Sequence, residues 1–231
     1  MSKHDSQTTT VRDIPRRQAL MASLGAAAAG LTGAATASAA PGTRSRLKGK
    51  RVLIAIGEFS EGLETYYMIY RLIEEGVRPV VAAPKVKRLQ LVVHDFEPQY
   101  SNYTEKLGYQ IETQLAFEDV KPAEYDGLLI PGGRGPEEIR QLDSVLKIVG
   151  YFFDKNRPLG AMCHGPQVIY AARSVKGRRM AAYGGIRADV ELAGAVFVDE
   201  PVVVDGAMVT SRGWPDLPDF MPKFLDVLAG A

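Results

Sequence analysis

Cys163 is the only thiol in the 231-residue chain, and His164 follows it directly. The apolar run Leu159 to Met162 predicts a short buried strand, Cys163 an abrupt turn, and Gly165-Pro166 the start of a helix. A thiol at such a junction stands at a strand's carboxyl end and faces the amide donors of a helix start. Those donors favour the thiolate and predict a lowered pKa for Cys163. The arrangement is a nucleophile elbow with Cys in place of Ser. The competing reading is a small buried apolar residue, the common fate of a lone cysteine. His164 supplies a proton acceptor and donor, although adjacent side chains in a turn seldom face each other.

Two further strand ends carry suggestive residues. Gly132 and Gly133 end the strand Tyr125–Ile130, and their N–H groups, with that of His164, would stabilise an oxyanion formed when a thiolate attacks a carbonyl. A turn that needs positive φ explains one of these glycines equally well. Glu64, early in the first helix, is placed to reach the elbow. An ionised carboxylate there would oppose the thiolate, so Glu64 is useful only in its neutral form, which requires burial. His94 falls in an irregular excursion and is read as a surface residue. One cysteine and three histidines give no zinc spacing, and no cofactor is expected.

The elements that must position these groups follow an α/β pattern. Arg51–Gly57 is a buried strand, Glu61–Glu75 a helix with Leu63, Tyr67, Ile69, Tyr70 and Leu72 apolar, and Arg78–Ala83 the next strand. This βαβ opening predicts a mainly parallel sheet covered by helices on both faces. Residues 85–118 are less regular: Leu89–Val93 is a strand candidate, and the Tyr-rich polar run from His94 to Gly108 reads as a surface excursion. Helices are expected at Pro136–Arg140, Ser144–Lys155, Ile186–Ala193 and Asp216–Leu228. Asp205-Gly206 between two apolar runs signals a hairpin.

The first forty residues are of another kind. Arg16-Arg17 precede a small-residue apolar run that ends in Ala37-Ser38-Ala39. A charged region, an apolar region and an A-x-A site together predict an export signal over residues 1–39, with paired arginines resembling a twin-arginine signal. The run is short for a membrane span. A basic linker, 40–50, and one domain, 51–231, follow. A net charge of +1 offers no basis for nucleic-acid binding. The expected location is periplasmic or extracellular.

The motifs Ala161–Gln167, Ile130–Glu137, Glu58–Glu64, Lys176–Arg179 and Val203–Gly206 resemble the DJ-1/PfpI superfamily, in its PfpI-like branch (peptidase family C56), from about Arg51 to the C-terminus. The resemblance implies a flavodoxin-like three-layer α/β sandwich that assembles as a homodimer or larger oligomer. It implies Cys163 as nucleophile, His164 as its partner, Glu64 as the carboxylate at the thiol, and Glu137 reaching across from a neighbouring subunit. It further implies Gly133 and His164 as backbone donors to the oxyanion, with Gly132, Tyr183 and Glu61 lining the pocket. After Ser211-Arg212 the chain departs from the pattern, reading Gly213-Trp214 where PfpI-like proteins often carry a His. Three functions compete: a cysteine enzyme acting on carbonyls (glyoxalase or deglycase, or else peptidase), a stress sensor or chaperone with an oxidisable cysteine, and a binding module on the same fold.

Overall fold

A computed structural model describes residues 46–231. The expected export signal, 1–39, and the first part of the linker lie outside the described residues.

Strands β1 (Arg51–Ala55), β2 (Arg78–Ala83), β5 (Leu115–Ala116), β6 (Gly127–Ile130), β7 (Leu159–Met162), β10 (Val202–Asp205) and β11 (Met208–Ser211) form one sheet. Its order is β10-β11-β7-β6-β1-β2-β5, parallel except for the β10–β11 hairpin. The central strands are short and apolar on both sides, as a sheet covered on both faces requires. Side chains at alternate positions go to opposite faces. Val52, Ile54, Leu129, Met162 and Val209 pack with α1 (Gly62–Glu74) and α6 (Leu217–Gly230). Leu53, Ala55, Leu128, Ile130, Leu159 and Ala161 pack with α3 (Asp143–Asp154) and α4 (Pro166–Ala172). Short helices α2 (Gly135–Ile139) and α5 (Arg187–Leu192) lie at the ends of this layer. The result is a three-layer, flavodoxin-like α/β sandwich. Phe152 and Phe224 anchor the two faces and are fully buried; truncating either to Ala would cost about 3–5 kcal/mol. Leu47, inside the stretch read as linker, is also fully buried.

Two differences from the sequence reading matter for the site. In α1, Met68 and Leu72 face the core while Leu63 and Tyr70 are exposed, because the helix is apolar on two sides. Residues 85–118 are not a loose excursion. Strand β3 (Arg88–Asp95) pairs antiparallel with a second strand, β4 (Thr104–Glu112), to form a twisted ribbon. Most of β4 is exposed, so it carries no apolar alternation to announce it. A short parallel pair, β8 (Arg179–Met180) and β9 (Val196–Phe197), completes the strands.

Candidate active site

Strand β7 delivers Cys163 to the carboxyl end of the sheet, beside the ends of β6 and β11. The backbone turns there with φ 56° at Cys163, a left-handed conformation that costs a non-glycine residue about 1–3 kcal/mol. Three backbone bonds hold it: Cys163 N–H to Ser211 O at 3.1 Å, Gly165 N–H to Met162 O at 2.7 Å, and Tyr183 N–H to Cys163 O at 3.1 Å. Helix α4 begins three residues later. The same strained turn brings neighbouring side chains together, and Nδ1 of His164 lies 3.3 Å from Cys163 Sγ.

Glu64 reaches the elbow from the first turn of α1 and is completely buried. Its Oε2 accepts the Gly132 N–H at 2.5 Å, while Oε1 is buried with no hydrogen-bond partner. Burial, followed by the neighbouring Glu61, raises its pKa to about 8, so at neutral pH the carboxyl is protonated. Gly132 must be glycine, because a Cβ there would collide with Cβ of Cys163 and lie 2.9 Å from Sγ. Gly133, at φ +76°, would drive a Cβ into the backbone at Glu61.

The amide of Gly132 is therefore committed to Glu64, which removes it from the set of oxyanion donors expected from sequence. The N–H groups of Gly133 and His164 remain, and both face the sulfur.

The expected lowering of the Cys163 pKa is also corrected. Burial pushes the thiol well above its ordinary value and the Glu64 carboxylate adds to this, against the opposing pull of the two amides. The reason is that Cys163 is only 6% exposed; a closed pocket outweighs two backbone dipoles. His164 is likewise buried, which lowers its pKa to about 4, with a further small push from His94. At neutral pH its imidazole is uncharged and free to accept a proton.

The β3–β4 ribbon roofs the site. His94 is 3% exposed, not a surface residue. Its Nε2 lies 2.9 Å from Oε2 of Glu105, and its ring stacks on Tyr103 at 4.1 Å. Glu105 in turn is gripped by both Nε and Nη2 of Arg134, in the loop after β6. The ribbon brings His94 inward because Trp214 donates Nε1–H to its carbonyl at 2.8 Å, and Val92 N–H bonds Ser60 O at 3.0 Å. Trp214 thus forms the wall where the sequence departs from the PfpI pattern. Tyr103 meets His164 edge-on at 6.0 Å and Tyr183 at 5.4 Å. Tyr183 lies 5.2 Å from His164 and donates its hydroxyl hydrogen to Oδ1 of Asn102 at 2.5 Å. Outside this latch, a cavity of about 390 Å³ is lined by Phe96, Tyr100, Asn102 and Tyr183 among others.

Of the residues singled out from sequence, the structure brings together Cys163, His164, Glu64, Glu61, Gly132, Gly133 and Tyr183. Glu137 is different: it is exposed on α2, and no hydrogen bond within the chain joins it to His164. Sequence reasoning missed His94, Asn102, Tyr103 and Trp214. The clustering of aromatic residues between 96 and 109 was the available signal for the roof. Among the described residues no group of His, Cys, Asp and Glu is arranged to hold a metal, and no helix is long and apolar enough to cross a membrane.

The DJ-1/PfpI family model matches residues 50–227. The chain belongs to the DJ-1/PfpI family. It is 43% identical over 178 residues to an uncharacterised protein of Archaeoglobus fulgidus, covering 77% of this chain and 98% of that one. It is 36% identical over 179 residues to a protein of Pyrococcus furiosus named deglycase PfpI, covering 78% and 99%. Among solved structures, DJ-1 of Schizosaccharomyces pombe superposes with a TM-score of 0.64 at 17% identity, covering 76% of this chain and 90% of that one. That likeness bears on the fold alone. In this DJ-1/PfpI protein, the excursion that sequence left irregular is the ribbon that closes the site.

Proposed function

We propose that this DJ-1/PfpI protein is a cysteine-dependent enzyme that acts on small reactive carbonyl compounds, of the glyoxalase or deglycase type. The observation that carries the reading is the placement of Cys163 Sγ, 3.3 Å from an uncharged His164 and beside a protonated Glu64. The name deglycase on full-length relatives supports it. For a 2-oxoaldehyde, Sγ forms a bond to the aldehyde carbon, and the thiol proton ends on the aldehyde oxygen, which the Gly133 and His164 amides hold. His164 then moves the proton from that carbon to the adjacent carbonyl carbon through an enediol, while the hydroxyl proton of the first carbon passes to the oxygen of the second. The product is a thioester, which water cleaves to a 2-hydroxy acid and the free thiol. No oxidant or cofactor is consumed.

Burial favours this over peptide hydrolysis. A sulfur that is 6% exposed beneath the aromatic roof of Tyr103 and Tyr183 admits a small aldehyde more readily than an extended polypeptide. The test is direct: purified protein is offered methylglyoxal and a fluorogenic peptide. Loss of methylglyoxal and formation of lactate are expected, abolished in Cys163→Ala; consumption unchanged in Cys163→Ala would end the proposal.

Two further elements belong to this reading. Glu137 would orient His164 from a second copy of the chain, since its own copy leaves it in solvent. The open apolar cleft of about 480 Å³ lined by Leu63, Tyr66, Tyr70 and Tyr109 supports self-association. Residues 1–39 would export the protein, with cleavage after Ala39.

A further inference from the structure

Glu61 is spent by neither the fold nor the chemistry described so far. It is 1% exposed, and its Oε1 has no hydrogen-bond partner. A buried carboxyl with an idle oxygen is costly unless it has a task. Its position touches every part of the site. Oε2 caps α1 by accepting the Glu64 N–H at 2.6 Å. The Glu61 N–H donates to Gly132 O at 3.0 Å, on the loop whose next amide faces the sulfur. Backbone bridges tie Ser60 to Gly133 and Glu61 to Val92 of the roofing ribbon. The backbone N–H groups of His94 and Leu63 also face the carboxyl and favour its charged form.

We propose that Glu61 is a positioning residue: seated between α1, the Gly132–Gly133 loop and β3, its carboxylate holds the shared proton on Glu64 and so leaves the negative charge on Cys163 Sγ. This rests on the reading of Cys163 as nucleophile and adds what sets its reactivity.

The argument concerns where one charge resides. When the Glu64–Cys163 pair gives up one proton to His164 or to water, two arrangements remain. Either the carboxyl is ionised and the thiol intact, or the carboxyl keeps its proton and the sulfur is the anion; the two differ only by moving that proton. The second arrangement is the reactive one. A negative Glu61 opposes both, but unequally. Its Oε2 sits on the N–H of Glu64 itself, whereas it is tied to the sulfur's surroundings through the backbone of the Gly132–Gly133 loop. Its charge raises Glu64 directly after burial and acts on Cys163 behind burial, Glu64 and two amides. It therefore penalises the carboxylate more than the thiolate. The other titratable group facing Glu61 is Asp95 of β3, which also discourages its ionisation; His94 and Leu63 offer backbone N–H only. With its pKa at about 7, Glu61 carries the charge above neutrality and loses it below.

Gln at this position keeps an oxygen for the α1 cap and removes the charge. The test is the rate of alkylation of Cys163 by iodoacetamide against pH in the purified chain, for wild type, Glu61→Gln, Glu64→Gln and the double variant. Cys163 is the sole thiol, so labelling needs no assignment. Near about pH 6 wild type and Glu61→Gln should react alike, because both are uncharged at position 61. Near about pH 8, Glu61→Gln should be slower by about three- to tenfold. In the Glu64→Gln background the substitution should no longer slow the reaction, and removal of the direct repulsion on the sulfur should if anything speed it slightly. A ratio constant across the pH range, or the same loss in the double variant, would overturn the proposal by showing that Glu61 only supports the fold. Methylglyoxal turnover of the same samples separates the two claims. If alkylation follows the predicted pattern without turnover, the enzymatic reading fails and the role of Glu61 stands.

Discussion

Tyr183 and Asn102 are joined by a hydrogen bond of 2.5 Å between side chains 81 residues apart in sequence. The bond ties the tip of the β3–β4 ribbon to the ring that lies against His164. It is one of several contacts that hold the ribbon's free end over the site, with the His94–Tyr103 stack, the Trp214–His94 bond, the Glu105–Arg134 pair and the packing of Phe96 on Trp214 and Tyr183.

Breaking the latch should expose the thiol. Tyr183→Phe and Asn102→Ala each remove one partly exposed hydrogen bond, about 0.5–1.5 kcal/mol. Alkylation of Cys163 should accelerate by up to about tenfold, with little change in melting temperature. An unchanged labelling rate would mean that access to the sulfur does not run past this contact.

Gly133→Ala should be among the most damaging single-methyl additions. Its Cβ would require left-handed backbone at φ +76° and would meet Phe59 O and Ser60 C at 2.5 and 2.7 Å. A loss of about 1–3 kcal/mol is expected, read by denaturant unfolding. Alkylation of Cys163 should also change, since this loop supplies the amide at the sulfur.

Glu64 makes a signed prediction about pH and stability. Its folded pKa, about 8, lies above the ordinary carboxylate value of 4.5. The folded state therefore holds the proton more tightly. The contribution is fully present below about pH 4.5 and is lost as pH rises through about 8. His164, lowered to about 4, acts in the opposite sense: its contribution is present above about pH 6.5 and is lost as pH falls through about 4. Comparing wild type with Glu64→Gln cancels the histidine. Melting temperature should fall more steeply with pH in wild type than in Glu64→Gln between about pH 5 and pH 8; parallel curves would mean that Glu64 is ionised in the native protein.

The proposed role of Glu137 predicts complementation between copies. Cys163→Ala and Glu137→Ala proteins should each be weakly active or inactive alone. Mixed and allowed to exchange subunits, they should regain activity, because one intact site then combines Cys163 of one copy with Glu137 of the other. Mixtures no more active than their components would place the partner of His164 elsewhere.

Expression with the full N-terminus should yield an exported protein that begins at Ala40 by N-terminal sequencing. Retention in the cytoplasm at full length would contradict the export reading of Arg16-Arg17 and Ala37-Ser38-Ala39.

What the amino-acid sequence determined by itself was local. Short runs such as Leu159–Met162 and Gly127–Ile130, apolar on both faces and bounded by turn residues, read as covered strands. Gly132, Gly133 and Gly165 mark turns at strand ends, although that a side chain does not fit there was decided by the packing. Cys163 between such a strand and Gly165-Pro166 could be placed at an elbow because strand, turn and helix start are neighbours in the chain. The need for a neutral Glu64 also followed from elementary electrostatics. Tertiary structure alone decided what came from afar. The polar, exposed strand β4 has no periodic signal, so its pairing with β3 and the burial of His94 were invisible until the ribbon folded over the elbow. That closure reversed the expected direction of the cysteine's pKa. Helix and turn amides are local and legible, whereas desolvation depends on everything that packs around a group, and here the packing comes from residues 60 to 100 positions away.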